Sequence, residues 1–188
     1  MTELLFDHFD SPIGTILLTA CDGKLCSLDF GEYDERMQRL LTGRLGNFVR
    51  KAESDPYGFS SNVRAYLNGD LTIIDTIPVD TGGTPFQQAV WNALREIPLG
   101  TVTTYGALAK KIGSVARAVG NTNSLNPVGI VVPCHRVIGA DGTLTGYAGG
   151  LHRKEWLLRH EGVNLEALTT PKTKRPAESH RQGALFET

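Results

Sequence analysis

The sequence predicts an α+β protein built in two parts. Short segments near the start alternate apolar and polar residues, which is typical of half-buried strands, whereas later segments place apolar side chains at helical spacing. The polar stretch Asp80-Thr81-Gly82-Gly83 lies between them and has the composition of a linker. We therefore expect an N-terminal domain with its linker over residues 1–83 and a C-terminal domain over residues 84–165.

The N-terminal part is predicted to join a small sheet to two helices. Its strands are expected at residues 4–9, 15–19 and 25–30, connected by turns at residues 11–14 and at Asp22-Gly23. Apolar residues at helical spacing predict two helices, one with Tyr33, Met37, Leu40 and Leu41 and one with Phe59, Val63, Tyr66 and Leu67. A strand-like pattern returns at residues 71–79.

The C-terminal part is predicted to begin and end with a helix. Thr84 is expected to cap the first helix, with Pro85 in its first turn and an apolar stripe over residues 86–97. The last helix is expected at residues 151–161. Its spacing places Glu161 near the edge of the core, where a carboxylate needs a hydrogen-bond partner.

Two short helices are predicted between residues 104 and 123. Gly113 separates them, and Thr104 and Ser114 are their expected caps. The second helix carries Arg117 among small residues, so it can approach another surface closely while the guanidinium projects. Such a pair is typical of helix-turn-helix units, although two helices that only pack against each other have the same pattern.

Charge is distributed unevenly along the 188-residue chain, whose formal net charge is −1. Residues 1–83 carry 7 basic and 13 acidic side chains, residues 84–165 carry 8 and 4, and residues 166–188 carry 4 and 3. The basic C-terminal part suits a polyanion such as DNA, although a solvated surface explains the same charges. Residues 166–188 also lack apolar periodicity, which predicts a disordered tail.

The composition favours a cytoplasmic protein. No apolar run approaches the roughly 20 residues that span a bilayer, and residues 1–10 lack the pattern of a secretory signal. Three cysteines do not form a disulfide framework. Cys21 and Cys26, with His8 as a third ligand, could in principle hold a metal ion, but no fourth ligand has suitable spacing. We expect both thiols to be packing residues and expect no metal or other cofactor.

The most informative stretch surrounds Cys134. Residues 130–132 are β-branched and predict a buried strand end, and Pro133 stops further pairing. The thiol of Cys134 and the imidazole of His135 then follow side by side. Cys134 could be only a small buried packing residue. The alternative is a reacting thiol whose proton is taken by a neighbouring base.

Pro133-Cys134-His135-Arg136-Val137 resembles the signature of the O6-alkylguanine-DNA alkyltransferases, also called methylated-DNA–protein-cysteine methyltransferases. The resemblance covers about residues 4–165 and is greatest to the constitutive bacterial members. It includes further separated motifs in the same order: Arg117-Ala118-Val119-Gly120, Asn126-Pro127, residues 146–151 and residues 154–162.

This resemblance implies a ribonuclease-H-like N-terminal domain and a winged-helix-like C-terminal domain that contains the helix-turn-helix. It also implies the reaction, in which one alkyl group moves from O6 of guanine, or less readily O4 of thymine, to Cys134. The product thioether is not regenerated, so each molecule reacts once. The implied partner is double-stranded DNA carrying the alkylated base, and a monomer is the default expectation.

The catalytic roles implied for four residues agree with their chemistry. Displacement at carbon needs a soft nucleophile, and the thiolate of Cys134 is the best that a side chain offers. His135 would take the thiol proton through a bridging water, and Glu161 would orient and polarise the imidazole. Tyr105 would donate its phenol proton toward N3 of the leaving purine.

The resemblance also assigns residues to the DNA and the extruded base. Arg117 would fill the space that the flipped nucleotide leaves in the duplex, while the helix that carries it enters the minor groove. Asn126 would tie that helix to the cysteine segment. The backbone carbonyls of Cys134 and Val137 would accept the guanine amino group. The Ala148 N–H would face O6, and Tyr147 would line the pocket.

Three other classes of function fit parts of the pattern. A lesion-binding protein of the same architecture would flag damage without reacting, but known relatives of that kind replace the cysteine. A cysteine hydrolase could use Cys134, His135 and Glu161, yet the sequence shows no oxyanion-hole motif. A DNA-binding regulator with a redox thiol is the third alternative.

Overall fold

The computed structural model describes residues 2–169 and begins with a four-stranded sheet. Its strands are β1 (Thr2–Phe9), β2 (Ile16–Cys21), β3 (Lys24–Phe30) and β4 (Phe48–Ala52). They lie in the order β3-β2-β1-β4, and only β4 runs parallel to its neighbour. The three predicted strands are confirmed, whereas β4 has no counterpart among the predictions. It is an edge strand in which Arg50 and Lys51 are adjacent, which obscures the apolar alternation.

Two helices pack beside the sheet, α1 (Asp34–Leu45) and α2 (Phe59–Leu67), and both were expected from their apolar spacing. The strand predicted over residues 71–79 is wrong. Its centre is a 3-10 turn, Ile73–Thr76, and only Val79 pairs with the sheet, in a single bridge to Leu25. Ile74 and Ile77 are both 1 % exposed, and this spacing of three suits a tight turn rather than a strand.

The second half contains five helices and a two-stranded parallel sheet within the described residues. The helices are α3 (Pro85–Arg95), α4 (Tyr105–Lys111), α5 (Ala116–Ser124), α6 (Leu151–His160) and α7 (Leu165–Thr169). The small sheet pairs β5 (Thr103–Thr104) with β6 (Val137–Ile138).

The helix starts agree with the sequence at two of three places. Thr84 and Gln87 form a reciprocal capping box on α3, and the Thr104 hydroxyl accepts a hydrogen bond from Ala107 N at the start of α4. The cap predicted at Ser114 is wrong. Val115 occupies that position on α5 without a side-chain cap, because Ser114 ends the preceding turn by donating its own N–H to Ala109 O.

The strand predicted before Cys134 is also wrong. Residues 128–132 form a compact buried turn in which Val131 N and Val132 N donate to Gly129 O and Val128 O. Ile130 has a φ of 66°, a conformation that β-branched residues rarely adopt. Burial of these apolar residues is therefore real, but β-propensity does not decide the backbone here. Asp141-Gly142 is a dipeptide typical of hairpins, but it forms only a turn here, because β6 pairs in parallel with β5.

The edge strand β3 holds this turn in place. Leu28 N donates to Pro127 O, and Gly129 N donates to Leu28 O, each at 2.9 Å. The main apolar core continues across this junction and contains residues of both halves, among them Phe30, Trp91, Val128 and Leu157. The sheet thus fixes the segment that leads to Cys134.

The far end of the described chain departs from one expectation. Residues 166–169, placed in the predicted disordered tail, belong to α7, and residues 170–188 lie outside the described residues. Among the helices between residues 2 and 169, none is long and apolar enough to cross a membrane.

Candidate active site

Cys134 begins a 3-10 turn, Cys134–Arg136, directly before β6. Its side chain is almost enclosed, with 6 % of the residue exposed. Asn126 Nδ2 donates to Cys134 Sγ at 3.1 Å and to Val132 O at 2.8 Å, while Asn126 Oδ1 accepts from Val128 N. Burial raises the pKa of the Cys134 thiol, and the Asn126 hydrogen bond and the charges of Lys154 and Arg36 oppose this only in part.

His135, the residue after Cys134, forms a buried pair with Glu161. His135 Nε2 lies 3.0 Å from Glu161 Oε1, and neither side chain is exposed. Burial lowers the pKa of His135, against the raising effect of the Glu161 hydrogen bond, so the imidazole is neutral at pH 7. His135 Nδ1 is buried and has no hydrogen-bond partner within the described chain. This nitrogen is therefore free to accept a proton.

Glu161 is held by two further residues. Arg136 donates from Nε to Oε2 and from Nη2 to Oε1, each at 2.8 Å, and Tyr66 Oη donates to Oε1 at 2.8 Å. Burial alone would raise the pKa of Glu161, but the hydrogen bonds from His135 and Arg136 hold it at about 2. Glu161 is thus a fixed carboxylate at neutral pH, and its expected place at the core edge is confirmed.

Lys154 of α6 is fully buried and connects the two segments around the site. Its ammonium donates to Val137 O at 2.6 Å and to Thr145 O at 2.5 Å. Burial lowers its pKa to about 8. Lys154 thus fixes β6 against the loop that carries Tyr147 and Ala148.

A surface pocket of about 430 Å³ lies beside this loop. It is lined by Tyr105, Gly120, Ser124, Thr145, Gly146, Tyr147 and Ala148. Tyr105 Oη donates to Gly146 O at 3.1 Å. A Cβ built on Gly146 would lie 3.0 Å from Tyr105 Oη. The close approach of loop and phenol therefore requires glycine at this position.

A second, much narrower cavity of about 20 Å³ reaches Cys134. Tyr147 and Ala148 line both cavities, so the wider pocket and the cavity at the thiol adjoin at these two loop residues. A volume of this size admits about one water-sized group. The remaining wall comes partly from the N-terminal half, through Asp29, Phe30 and Arg36.

Of the residues assigned to DNA, Arg117 lies on the surface. Arg117 lies in the first turn of α5 and is exposed, and it makes no hydrogen bond or ion pair with any residue between 2 and 169. Val115, just before the helix, is 65 % exposed. α4 and α5 pack against each other, and α3 contacts α5 through the Trp91 Nε1 hydrogen bond to Thr122 O.

The structure brings most of the predicted site residues together. His135 pairs with Glu161 directly after Cys134 in the chain, Asn126 contacts the thiol, and Tyr105, Tyr147 and Ala148 share one pocket. Sequence reasoning missed three residues that hold the site: Tyr66, Arg136 and Lys154. Arg136 lies within the cysteine motif, and Lys154 lies in a matching stretch, so their positions were available as a signal. Tyr66 gave only the signal of an ordinary core residue.

Among the described residues, no group of three or more histidine, cysteine or acidic side chains is placed to hold a metal ion. Cys21 and Cys26 are free and pack with the cluster that contains Leu4, Met37 and Leu41.

Fold and site together define a class: an α+β protein of two parts, whose buried thiol is served by an imidazole–carboxylate pair next to an exposed helical pair. Comparison with known proteins gives the family. The model "6-O-methylguanine DNA methyltransferase, ribonuclease-like domain" matches residues 4–81, and the model of the DNA binding domain of the same protein matches residues 85–163.

Relatives match over nearly their whole length. The methylated-DNA–protein-cysteine methyltransferase of Shigella flexneri is 51 % identical over 88 % of this chain and 99 % of its own. That of Methanosarcina acetivorans is 45 % identical over 82 % of this chain and 96 % of its own. The solved structure of Mycobacterium tuberculosis OGT in complex with DNA superposes with a TM-score of 0.72 at 38 % identity, covering 87 % and 98 % of the two chains. This chain belongs to the 6-O-methylguanine DNA methyltransferase family, which confirms the fold class and the resemblance.

Proposed function

We propose that this protein repairs DNA by moving an alkyl group from O6 of guanine to Sγ of Cys134, once per molecule. Family membership supports alkyl transfer in DNA repair. The observation that carries the assignment to Cys134 is its position: it lines a cavity that shares Tyr147 and Ala148 with a surface pocket, and the next residue, His135, is paired with Glu161.

The first step is removal of the thiol proton. Because burial raises the pKa of Cys134, the thiol needs a base. His135 is neutral, its Nε2 is engaged with Glu161, and its Nδ1 has no partner among the described residues. Nδ1 is therefore the acceptor, and one water bridging the two adjacent side chains carries the proton. The imidazolium that forms is stabilised by the Glu161 carboxylate.

The second step is displacement at the alkyl carbon. The sulfur forms a bond to that carbon, the carbon–O6 bond breaks, and its electron pair passes to the purine. Tyr105 donates its phenol proton toward N3, which neutralises the leaving base. Burial raises the pKa of Tyr105, so the phenol is protonated beforehand at neutral pH. The thioether on Cys134 has no route back to a thiol, and the protein is consumed.

Pocket and cavity sizes suggest how the base is held. The pocket of about 430 Å³ can take a purine, whereas the cavity of about 20 Å³ at the sulfur admits only the alkyl substituent. The base must leave the duplex to enter. The guanine amino group donates to the backbone carbonyls of Val137 and Cys134. Val137 O also accepts from Lys154, and Cys134 O also accepts from Asn123 and from the Val137 N–H. The Ala148 N–H faces O6 in this arrangement.

The DNA is held from the side of α5. Arg117 enters the space of the extruded nucleotide, and Asn126 connects the end of this helix to Cys134. The proposal includes O4-alkylthymine as a poorer substrate, a cytoplasmic location and a monomer. The N-terminal domain with its linker ends at residue 83, and the C-terminal domain begins at residue 84.

Intact mass tests the reaction directly. Incubation with a duplex containing O6-methylguanine should add one methyl group per protein, located on Cys134 by peptide mapping. Cys134→Ala should add none, whereas Cys26→Ala, which removes a buried thiol outside the site, should react as the wild type does. Repeated turnover would favour a hydrolase, and binding without a mass change would favour a lesion sensor; either result contradicts the proposal.

A further inference from the structure

Arg36 belongs to α1 in the N-terminal half, yet it contacts the segment that carries the reactive thiol. Its Nη1 pairs with Asp29 Oδ2 at the end of β3. Its Nη2 donates to Ser124 O at 2.7 Å and to Asn126 O at 3.2 Å. Ser124 and Asn126 lie 88 and 90 positions after Arg36 in the chain. One guanidinium therefore joins both halves at the narrow cavity beside Cys134.

The contacts of Arg36 lead to the sulfur in one further step. Ser124 is the last residue of α5, where the aligned peptide dipoles favour a positive charge. Asn126 uses its side-chain amide on Cys134 Sγ at 3.1 Å, so Arg36 holds the backbone of the residue that touches the thiol. Asp29 in turn orients Arg36 and is itself 5 % exposed.

We infer that Arg36 is a positioning residue for the alkyl transfer: it fixes Asn126 on the sulfur of Cys134 and adds positive charge beside the thiolate. This inference rests on the proposed function. The N-terminal half thereby takes part in the reaction, although the nucleophile Cys134, the proton acceptor His135 and the pocket for the purine all lie in the C-terminal half.

The charge environment of the sulfur is compatible with this role. The charged and titratable groups around Cys134 come from several elements: Asp29 and Arg36 from the N-terminal half, Lys154 from α6, Tyr147 from the loop and the neighbouring His135. Both cations, Lys154 and Arg36, favour the thiolate and oppose the effect of burial on the pKa of Cys134. Lys154 donates to Val137 O and Thr145 O, whereas Arg36 donates to the backbone carbonyl of Asn126.

Two readouts separate positioning from simple stability. The first is the pH profile of Cys134 methylation by methyl iodide without DNA, since this reagent supplies a methyl group to the thiolate without a guanine or a duplex. The second is single-turnover transfer from an O6-methylguanine duplex. Arg36→Gln should move the methyl iodide profile to higher pH and slow the transfer about tenfold, because a slightly displaced nucleophile reacts far more slowly.

Matched variants sharpen the test. Arg36→Lys keeps the charge but cannot reach a carboxylate and two carbonyls together, so it should restore the pH profile and not the transfer rate. Asp29→Asn leaves the guanidinium without its orienting partner and should slow transfer without moving the profile to higher pH. Arg50→Gln removes a comparable ion pair, Arg50–Asp34, away from the site and should change both readouts less than twofold.

Several results would overturn the inference. One is an Arg36→Gln variant that matches Arg50→Gln in both readouts; another is an unmoved profile with a rate loss that follows thermal stability alone. If Arg36→Gln does not fold, Arg36→Lys and Asp29→Asn decide, and wild-type transfer rates in both contradict the positioning role. If the wild-type protein reacts with methyl iodide but accepts no methyl group from DNA, the proposed function fails. This result differs from every result that contradicts only the role of Arg36.

Discussion

The acceptor site and helix α5 lie next to each other but are built in opposite ways. Around Cys134 the polar side chains are buried and paired: Glu161 has donors from three residues, and Lys154 has two carbonyl acceptors. Arg117 on α5 is exposed and has no polar partner among residues 2–169. Reacting groups must keep one geometry before the substrate arrives. A side chain that inserts into the duplex must instead give up its hydration. Any hydrogen bond to its own protein would also have to break and would therefore oppose insertion.

The largest effect that separates the two regions should come from Glu161→Gln. The variant leaves the buried Arg136 guanidinium without a counter-charge, which is expected to cost about 3 kcal/mol of stability at pH 7. It also removes the group that orients His135, so transfer should slow by about a hundredfold. Urea unfolding and single-turnover transfer measure the two losses. Glu155→Gln, in an exposed pair with Arg159, should change stability by less than about 0.5 kcal/mol.

The same carboxylate predicts a pH dependence of wild-type stability. The pKa of Glu161 is about 2 in the folded protein, below its ordinary value of 4.5. The unfolded chain therefore binds the proton first as pH falls, so this stabilisation is present above pH 4.5 and is lost between pH 4.5 and 2. Unfolding at steps through this window should show the loss in the wild type and a flatter dependence in Glu161→Gln. Equal slopes in both proteins would contradict the assignment.

A smaller and more selective effect is expected on the other side of the comparison. Arg117→Ala should reduce transfer from duplex DNA about tenfold, because an extruded base costs a few kcal/mol that the inserted side chain partly offsets. Reaction with the free alkylated base should be unchanged, since Arg117 makes no hydrogen bond or ion pair with the acceptor site among residues 2–169. Lys110→Ala removes another exposed charge, on α4, and controls for simple electrostatic attraction. Equal losses with duplex and free base would remove the role of Arg117 in base extrusion.

These two regions also differ in how far the sequence predicts them. Cys134 and His135 are adjacent in one motif, and helical spacing places Glu161 near the edge of the core, whereas the role of Glu161 beside His135 comes from the family resemblance. Tyr66 reaches Glu161 from 95 residues away, and Arg36 reaches Asn126 from 90. Such contacts depend on how the sheet docks on the second half, which no local pattern encodes. The wrong strand at residues 130–132 has the same origin, because Leu28 and Asn126 provide the hydrogen bonds around this turn in place of a ladder.

The smallest expected effect compares the starts of α3 and α5. Thr84 accepts from Gln87 N and shares a capping box with it, so Thr84→Ala should cost about 1 kcal/mol. Ser114 makes no cap, and the N-cap position of α5 is held by the exposed Val115, so Ser114→Ala should change stability by less than about 0.5 kcal/mol. Urea unfolding of the two variants under the same conditions measures the difference. An equal cost would mean that Ser114 caps α5 in solution, and the start of the DNA-facing helix would then be fixed like the acceptor site rather than left free.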